Sequence, residues 1–325
     1  MGLALVGLLV PLVLTACSGG EEDRTVVAYL AADADSTRGR AVTEALSAEV
    51  QSQCRECQLV TRDAAGRGES QRDQVTEVVG AGADVIILEA AGSAAPELIK
   101  AAGKVPVVTL DRLVPGARAH VGVDREAAGS LIAEELTALS PKRARVVLAT
   151  GADGSAAQDL ATVVADSLGP GMRVVAREAD PARAGQVARR RGVDVVVTGD
   201  DADAEVVGDA FGTRPRRPLI SGSGGDLDAV RRVVLGTQAL TVHVRVGDEA
   251  VAAARAALDL AGVNVEQPED APAAEDVDGV PTVQLDPLIV TLQTLTNTVV
   301  REGIFTLDEI CSGETARRCT ELGFR

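Results

Sequence analysis

The stretch AGADVIILEAAGSAAPELIKAAGKVPVVTLDR, residues 81–112, decides the fold predicted for this chain. Val85 to Leu88 is a continuous apolar run, typical of a strand buried on both faces of a parallel sheet. Ala94 to Ala102 has helical spacing and stops at Gly103, and Val105 to Leu110 is a second buried strand. Together these elements predict a strand–helix–strand unit with a right-handed connection.

Two polar residues, Asp111 and Arg112, follow the second of these strands directly. Open parallel sheets bind small ligands just outside the carboxyl ends of their strands. A carboxylate next to a guanidinium can accept and donate hydrogen bonds in one plane. The pair therefore predicts a ligand site, and the alternative is an ion pair at a strand end that holds no ligand.

The same pattern occurs a second time along the chain. Residues 192–198, GVDVVVT, repeat the pattern of residues 82–88, GADVIIL. A helical stretch from Asp203 to Phe211 and a strand from Pro218 to Ser221 follow. Two similar halves predict an α/β protein with two Rossmann-like lobes, each built on a parallel sheet, that face each other across a cleft.

The predicted organisation is of two lobes joined by three hinge crossings. The predicted bounds are a signal peptide over 1–16, a tether over 17–24, a first lobe of 25–123 plus 245–279, and a second lobe of 124–244 plus 280–325. The acidic stretch 263–279 is predicted to be a surface loop, and residues 295–319 a last helical region.

The charge balance excludes some partners. The 325 residues include 48 acidic and 32 basic side chains, which argues against nucleic acid and against adhesion to anionic lipid, because both need basic patches. Aromatic residues make up only 1%, so the cores are predicted to consist of Val, Leu, Ile and Ala.

The first residues of the chain resemble a bacterial lipoprotein signal. Residues 1–16 are apolar and uncharged, too short to span a bilayer comfortably, and Leu14-Thr15-Ala16-Cys17 resembles the lipoprotein box. Cleavage there would leave Cys17 as an acylated N-terminus, so an extracytoplasmic protein anchored to the cell membrane is predicted. The alternative is an ordinary signal peptide with a chance cysteine.

Four further cysteines remain, and an oxidising compartment favours their pairing. The short spacings favour disulfides between Cys54 and Cys57 and between Cys311 and Cys319. A redox-active pair is the less favoured reading, because Cys54 ends a helix rather than beginning one. A zinc site is also less favoured, because the second spacing is longer than usual.

No catalytic or metal-binding pattern stands out, so neither an enzyme nor a cofactor is predicted. The two histidines, His120 and His243, lie within predicted strands and are interpreted as packed side chains. The cluster Asp200, Asp201 and Asp203 lacks the glycine and distal glutamate of a calcium loop, and an acidic helix start explains Asp201 and Asp203 better.

Several stretches together resemble one family. They are Asp111-Arg112 at its strand end, Ser221-Gly222 with Asp226-Leu227, Gly236–Val242 and the Cys54–Cys57 motif. The mature chain resembles the type I periplasmic sugar-binding proteins of ABC importers, above all the xylose-binding type found as lipoproteins in Gram-positive, high-GC bacteria of the actinobacterial kind.

The resemblance implies a set of ligand-binding residues. In the first lobe these are Arg38, Asp111 and Arg112, and in the second Asp153, Asp200 and Ser223. The second-lobe positions depart from the family, which usually has neutral amide side chains there. An acceptor-only charge at Asp200 predicts a preference for ligands rich in donors, such as one carrying an amine.

The function predicted is that of a monomeric solute-binding lipoprotein, which holds a sugar or related polyol in the cleft and presents it to ABC permease subunits. The main alternative is a degenerate or sensory homologue that binds a membrane or protein partner. An enzyme on the same scaffold lacks a nucleophile–base pair. A sugar-responsive repressor would need a basic helix-turn-helix before the first strand, where the lipoprotein box lies.

Acylation at Cys17 is directly testable. The substitution Cys17→Ser removes the sulfur that would carry the lipid, so the protein should move from the membrane fraction into the soluble extracytoplasmic fraction. Fractionation and N-terminal mass spectrometry measure this. A wild-type protein that is already soluble, with an N-terminus elsewhere, would contradict the prediction.

Overall fold

Alternating strands and helices make up the described part of the chain. The computed structural model describes residues 24–91, 95–151, 156–212, 214, 216–269 and 271–324, so the predicted signal peptide, Cys17 and Asp153 lie outside the described residues. The strands are β1 (Val26–Ala31), β2 (Gln58–Asp63), β3 (Val85–Glu89), β4 (Val107–Leu110), β5 (Ala119–Val123), β6 (Ala144–Ala149), β7 (Met172–Glu178), β8 (Val195–Thr198), β9 (Leu219–Ile220), β10 (Thr241–His243), β11 (Glu275–Val277), β12 (Val280–Leu285) and β13 (Leu288–Val290). The helices are α1 (Thr37–Gln53), α2 (Gly68–Gly80), α3 (Ala95–Ala102), α4 (Arg125–Leu139), α5 (Ala156–Ser167), α6 (Pro181–Arg191), α7 (Asp201–Asp209), α8 (Leu227–Leu235), α9 (Val246–Leu260), α10 (Leu307–Ile310) and α11 (Ala316–Leu322). Among the residues described, no helix is both long enough and apolar enough to cross a membrane.

The strands form two larger sheets and one small one. The first-lobe sheet has the order β11-β12-β5-β4-β3-β1-β2, and all its neighbours are parallel except the edge pair β11–β12. The second-lobe sheet has the order β7-β6-β8-β9 and is wholly parallel. Strands β10 and β13 pair antiparallel in a third sheet. The α/β class with mainly parallel sheets is therefore confirmed.

Burial on both faces explains the apolar run in β3. Val85 and Ile87 point to one face, where they pack in a core with α1 and α9. Ile86 and Leu88 point to the other face, where they pack with α2 and α3. Since successive side chains of a strand alternate, only a strand covered on both faces can bury four apolar residues in a row.

The second lobe repeats this arrangement around β8. Val195 and Val197 pack with α4 and α5, whereas Val196 packs on the opposite face with α6 and α7. The helix after β8 begins at Asp201, two residues earlier than predicted, because the side chain of Asp200 caps it by accepting a hydrogen bond from the Asp203 amide.

The chain passes between the two sheets after β5, after β10 and after β12. Residues 280–285 were predicted to belong to the second lobe, but as β12 they pair with β5 in the first-lobe sheet. The acidic stretch before them also contains β11, which pairs with β12 across a turn at Asp278 and Gly279. The sequence did not predict this hairpin. Its edge strand β11 is exposed, so the stretch is acidic and has no periodic apolar pattern.

The last part of the chain is less regular than the single helical region predicted. A π-helical turn at Thr296–Val300, α10, a 3-10 turn at Gly313–Thr315 and α11 follow one another. Gly303 and Gly313 interrupt the helical path with positive φ angles. These short elements bury a core of their own against α8.

Both predicted disulfides are present. Cys54, at the end of α1, is joined to Cys57, with 5.3 Å between the Cα atoms. Cys311 is joined to Cys319, with 5.7 Å between the Cα atoms, and both side chains are fully buried in the core beside α8. The second disulfide therefore ties together a segment built from short helices.

Removing the second disulfide should be the more costly change. The pair Cys311→Ser and Cys319→Ser should lower the free energy of unfolding by about 2–3 kcal/mol, since it frees the longer loop in the unfolded chain. Cys54→Ser with Cys57→Ser serves as the control, because it opens a loop of three residues and should cost less. Urea unfolding measures both, and free thiols at all four positions in the wild type would contradict the pairing.

Candidate functional site at the carboxyl edge of the first lobe

Five polar side chains gather where β1, β3 and β4 end. We call Tyr29, Arg38, Glu89, Asp111 and Glu249 the first-lobe cluster. Tyr29 lies in β1, Glu89 ends β3 and Asp111 follows β4, while Arg38 and Glu249 lie in the first turns of α1 and α9. The carboxyl ends of parallel strands share one edge of the sheet, so residues far apart in sequence meet there.

Arg38 lies at the centre of the cluster. Its Nη2 donates to Glu249 Oε2 over 2.7 Å, and its Nε lies 3.6 Å from Glu89 Oε1. Burial by itself lowers the pKa of this guanidinium, but the carboxylates of Glu249, Asp111 and Glu89 raise it above its usual value. Nη1 makes no hydrogen bond within the described part of the chain, and about a quarter of the side chain is exposed. Arg38 can therefore donate to a ligand while its other groups stay fixed.

Glu249 is wholly buried although it carries a carboxyl group. Burial raises its pKa to about 7, since Arg38 offsets only part of the cost and Asp111 and Glu89 add repulsion. Its Oε1 has no hydrogen-bond partner among the described residues. Sequence reasoning missed this residue, although a signal exists: Glu249 shares the buried stripe of α9 with Val246 and Ala253.

Glu89 and Tyr29 are bonded to each other in the cluster, and sequence reasoning predicted neither of them as a site residue. The Tyr29 hydroxyl donates to Glu89 Oε2 over 2.9 Å, and the Ala32 amide donates to the same oxygen over 3.3 Å. Burial and the neighbouring Glu89 raise the pKa of Tyr29, which therefore stays a neutral donor. These bonds hold the Glu89 carboxylate in place beneath Arg38.

Asp111 and Arg112 lie at the predicted strand end. Asp111 is exposed and has a φ of 65°, a conformation that is uncommon outside glycine and points to a local constraint. Its amide donates to the carbonyl of Val121 in β5 over 2.9 Å. Burial lowers the pKa of Arg112, and Asp111 opposes this. The structure therefore brings Asp111 close to both arginines of the predicted first-lobe set.

The two histidines are packed as expected. His120 in β5 has Nδ1 3.0 Å from the Thr109 carbonyl, and burial lowers its pKa to about 4. His243 in β10 has Nε2 3.3 Å from Glu302 Oε2. Burial lowers the pKa of His243 to about 4, and Arg38 and Arg245 add to the effect, so the imidazole is neutral. The crossing after β10 therefore lies near the first-lobe cluster.

The second-lobe residues are bound within their own lobe. Asp200 Oδ1 accepts from the Asp203 amide over 2.7 Å, and the Ser223 carbonyl accepts from the Asp201 amide over 2.9 Å. Asp200 and Ser223 are both partly exposed. Burial and the neighbouring Asp200 raise the pKa of Asp203 to about 6. Asp200 thus serves α7 with one oxygen, and its role toward a ligand stays a prediction.

Asp201 holds the loop that carries Ser223. Its buried carboxylate accepts from Gln238 Nε2, from the Thr241 hydroxyl and from the Gly225 amide, over 2.7, 2.7 and 2.8 Å. Burial, together with Asp226, raises its pKa to about 6, while these hydrogen bonds lower it. A side chain at Gly222 would collide with Asp201 Oδ1, which explains the glycine there. Asp201 thus begins α7, as predicted, but its carboxylate holds the loop around Gly225, which the sequence did not predict.

Comparison with known proteins identifies the family of this chain. A sequence profile of the periplasmic binding protein domain matches residues 27–264, which is most of the chain. This chain belongs to the periplasmic binding protein family. Over 125 residues, 38% of this chain and 37% of the relative, it is 32% identical to the D-xylose-binding periplasmic protein of Haemophilus influenzae. The matched stretch thus spans little more than a third of that relative.

Solved structures share the fold of this periplasmic binding protein. An ABC transporter solute-binding protein from Bacillus halodurans C-125 with bound myo-inositol has a TM-score of 0.68 and 17% identity, over 88% of this chain and 100% of that one. A second one, from Clostridium phytofermentans with bound β-D-glucose, has a TM-score of 0.69 and 16% identity, over the same shares. Members of the family act outside the cytoplasm.

Loss of the Asp201 carboxylate should disrupt the second-lobe loop. Asp201→Ala removes the acceptor of three buried donors. The Gly225 amide keeps its contact with the Thr241 hydroxyl oxygen over 3.1 Å, but the Gln238 amide group and the Thr241 hydroxyl each lose their shortest hydrogen bond, and an unpaired buried group costs about 1–3 kcal/mol. We expect the free energy of unfolding to fall by about 3 kcal/mol or more in urea titrations. The control Asp228→Ala, on the exposed side of α8, should stay within about 0.5 kcal/mol of the wild type. Equal effects of the two substitutions would contradict the structural role of Asp201.

Proposed function

We propose that this periplasmic binding protein holds a small polyol, most simply a sugar, between its lobes and delivers it to an ABC permease. The first-lobe cluster is the observation that carries the proposal. It offers acceptors on Asp111 and Glu89 and donors on Arg38, and sugar hydroxyls need both kinds of partner. The relatives support the same ligand class, since their names and bound molecules are D-xylose, myo-inositol and glucose.

Geometry explains why an anchored ion cluster suits this ligand. A polyol gives up its hydrogen bonds to water on binding, so the protein must present partners that are already in place. Glu249 and Glu89 hold Arg38 from the side opposite to Nη1, so little side-chain freedom is lost when a hydroxyl binds. Charge-assisted hydrogen bonds of this kind are about twice as strong as neutral ones.

Other features of the proposal follow from the family and the sequence. The protein works as a monomer, without chemistry on the ligand and without a cofactor. Lobe closure around the ligand prepares the complex for the permease. An acyl chain on Cys17 anchors the protein to the outer side of the cell membrane.

A degenerate or sensory homologue is the second candidate, and one observation favours it. One carboxylate oxygen of Asp200 accepts the hydrogen bond that caps α7, and the main-chain carbonyl of Ser223 accepts a hydrogen bond from the Asp201 amide. Among the described second-lobe residues, these two groups are therefore already bonded within their own lobe. In this case the partner would be a membrane receptor or another protein rather than a permease.

Calorimetric titration separates the two candidates. The panel is D-xylose, D-glucose, myo-inositol and D-glucosamine, tested on the wild type, Asp111→Ala and Asp200→Asn. We expect at least one to bind the wild type, and Asp111→Ala to weaken that binding at least 100-fold, because the ligand loses an acceptor and Arg38 a neighbouring carboxylate. Asp200→Asn removes the negative charge, so the preference should shift from D-glucosamine toward the neutral sugars. Asparagine can still cap α7, so the helix should stay intact.

The matched control is Asp259→Ala, which removes an exposed acid at the far end of α9 and should leave binding unchanged. A bound ligand at a hundredfold excess over its Kd should also raise the free energy of unfolding by about 2.7 kcal/mol. No binding of any panel member, or binding that ignores Asp111, would favour the sensory homologue instead.

A further inference from the structure

Glu249 is the one carboxylate of the first-lobe cluster that solvent does not reach at all. One of its oxygens bonds to Arg38 over 2.7 Å, and the other has no partner among the described residues. A buried carboxylate with one free oxygen has a place to hold a proton, because the proton there disturbs no existing hydrogen bond. The contact with Arg38 survives protonation, since Oε2 still accepts.

We propose that Glu249 is the positioning residue of the ligand site: it fixes the Arg38 guanidinium and makes ligand binding depend on its own protonation. This inference rests on the proposed polyol-binding function, but its first half concerns the ligand-free protein alone. Arg38 is the residue that touches the ligand. Glu249 acts through Arg38, 211 residues away in the sequence.

Charged neighbours set the direction of this dependence. Glu89 from β3 and Asp111 from β4 repel an ionised Glu249, and Arg38 from α1 attracts it. The other titratable or charged groups on the elements packed around Glu249 are Tyr29 on β1, His120 on β5, Arg40, Glu44 and Glu49 on α1, and Arg245, Asp248, Arg255 and Asp259 at or on α9. Strand β12 carries no charged residue. Burial and the two acids outweigh Arg38, so the pKa of Glu249 is raised to about 7.

Binding of a neutral polyol should favour the protonated form further. The ligand displaces water from Arg38, Glu89 and Asp111, and this strengthens the repulsion between the ionised acids. Ligand binding should therefore take up a proton near neutral pH. By linkage, affinity should be highest below pH 7 and should fall as pH rises through and above that value, by at most tenfold for each pH unit.

The first experiment follows Arg38 in the ligand-free protein. The ¹⁵Nε signal of Arg38 should titrate between pH 5 and 9 with a midpoint near 7, and the ¹³Cδ signal of Glu249 should show the same midpoint. Glu249→Gln should abolish the Arg38 titration. The matched control is Glu49→Gln, because Glu49 and Arg255 form the other Glu–Arg pair between α1 and α9, at 2.6 Å, outside the cluster. It should leave the Arg38 titration intact.

The second experiment is calorimetry with myo-inositol and D-glucose from pH 5.5 to 8.5, in buffers of different ionisation enthalpy. The wild type and Glu49→Gln should take up a fraction of a proton on binding near pH 7 and bind more weakly as pH rises. Glu249→Gln should bind with one affinity across the range and take up no proton.

Several outcomes would overturn the inference, and they differ from failure of the proposed function. A flat Arg38 signal in the wild type, or the same titration in Glu249→Gln, rules out the positioning role. Polyol binding without proton uptake rules out the linkage. If Arg38 titrates through Glu249 and neither polyol binds, the positioning role is supported and the linkage to polyol binding fails together with the proposed function. If Glu249→Gln does not fold, the wild-type protein alone tests the positioning role. Equal midpoints for the Glu249 ¹³Cδ and Arg38 ¹⁵Nε signals support it, and different midpoints contradict it.

Discussion

Helix α9 closes the first lobe, and the rest of the structure depends on this packing. The sheet face that carries Val85, Ile87 and Val108 is covered by α1 and by the alanine stripe of α9. The chain supplies α9 only after it has built the whole second-lobe sheet. The first lobe therefore cannot complete its core until the chain returns from the second, and the two lobes are tied together by three passages of the backbone.

Close packing of α9 on α1 also determines the chemistry of the site. Alanine side chains let the two helices approach, and the first turn of α9 then brings Glu249 against Arg38. Two charges buried together are stable only with well-placed partners, because removal from water costs each ion several kcal/mol. Among the described residues, Glu249 has such a partner on one oxygen only. The same contact that completes a core thus leaves one acid in the lobe with an incomplete set of hydrogen bonds, next to the residues that face the cleft.

The two lobes differ in how they use their acids. In the first, Asp111 and Glu89 lie around a partly exposed arginine, where a ligand can share them. In the second lobe, the Asp201 carboxylate accepts three hydrogen bonds from its own lobe, and Asp200 caps α7. The first-lobe acids favour a transporter component that binds a polyol, whereas the bonded acids of the second lobe favour a sensory homologue.

Sequence alone determined the α/β class, the two similar halves, the paired cysteines and the strand end at Asp111 and Arg112. Each of these depends on a local pattern: runs of four apolar residues in β3 and three in β8, short cysteine spacings, and polar residues directly after a buried strand. The place of β12 in the first-lobe sheet was decided only by tertiary structure, because β12 lies next to the edge strand β11 and is only partly buried, which leaves its apolar pattern weak. Glu89, Tyr29 and Glu249 were also recognised as part of the site only from the tertiary structure. Their burial and their contacts with Arg38 depend on strands and helices that come together from distant parts of the chain, and no local pattern records that meeting.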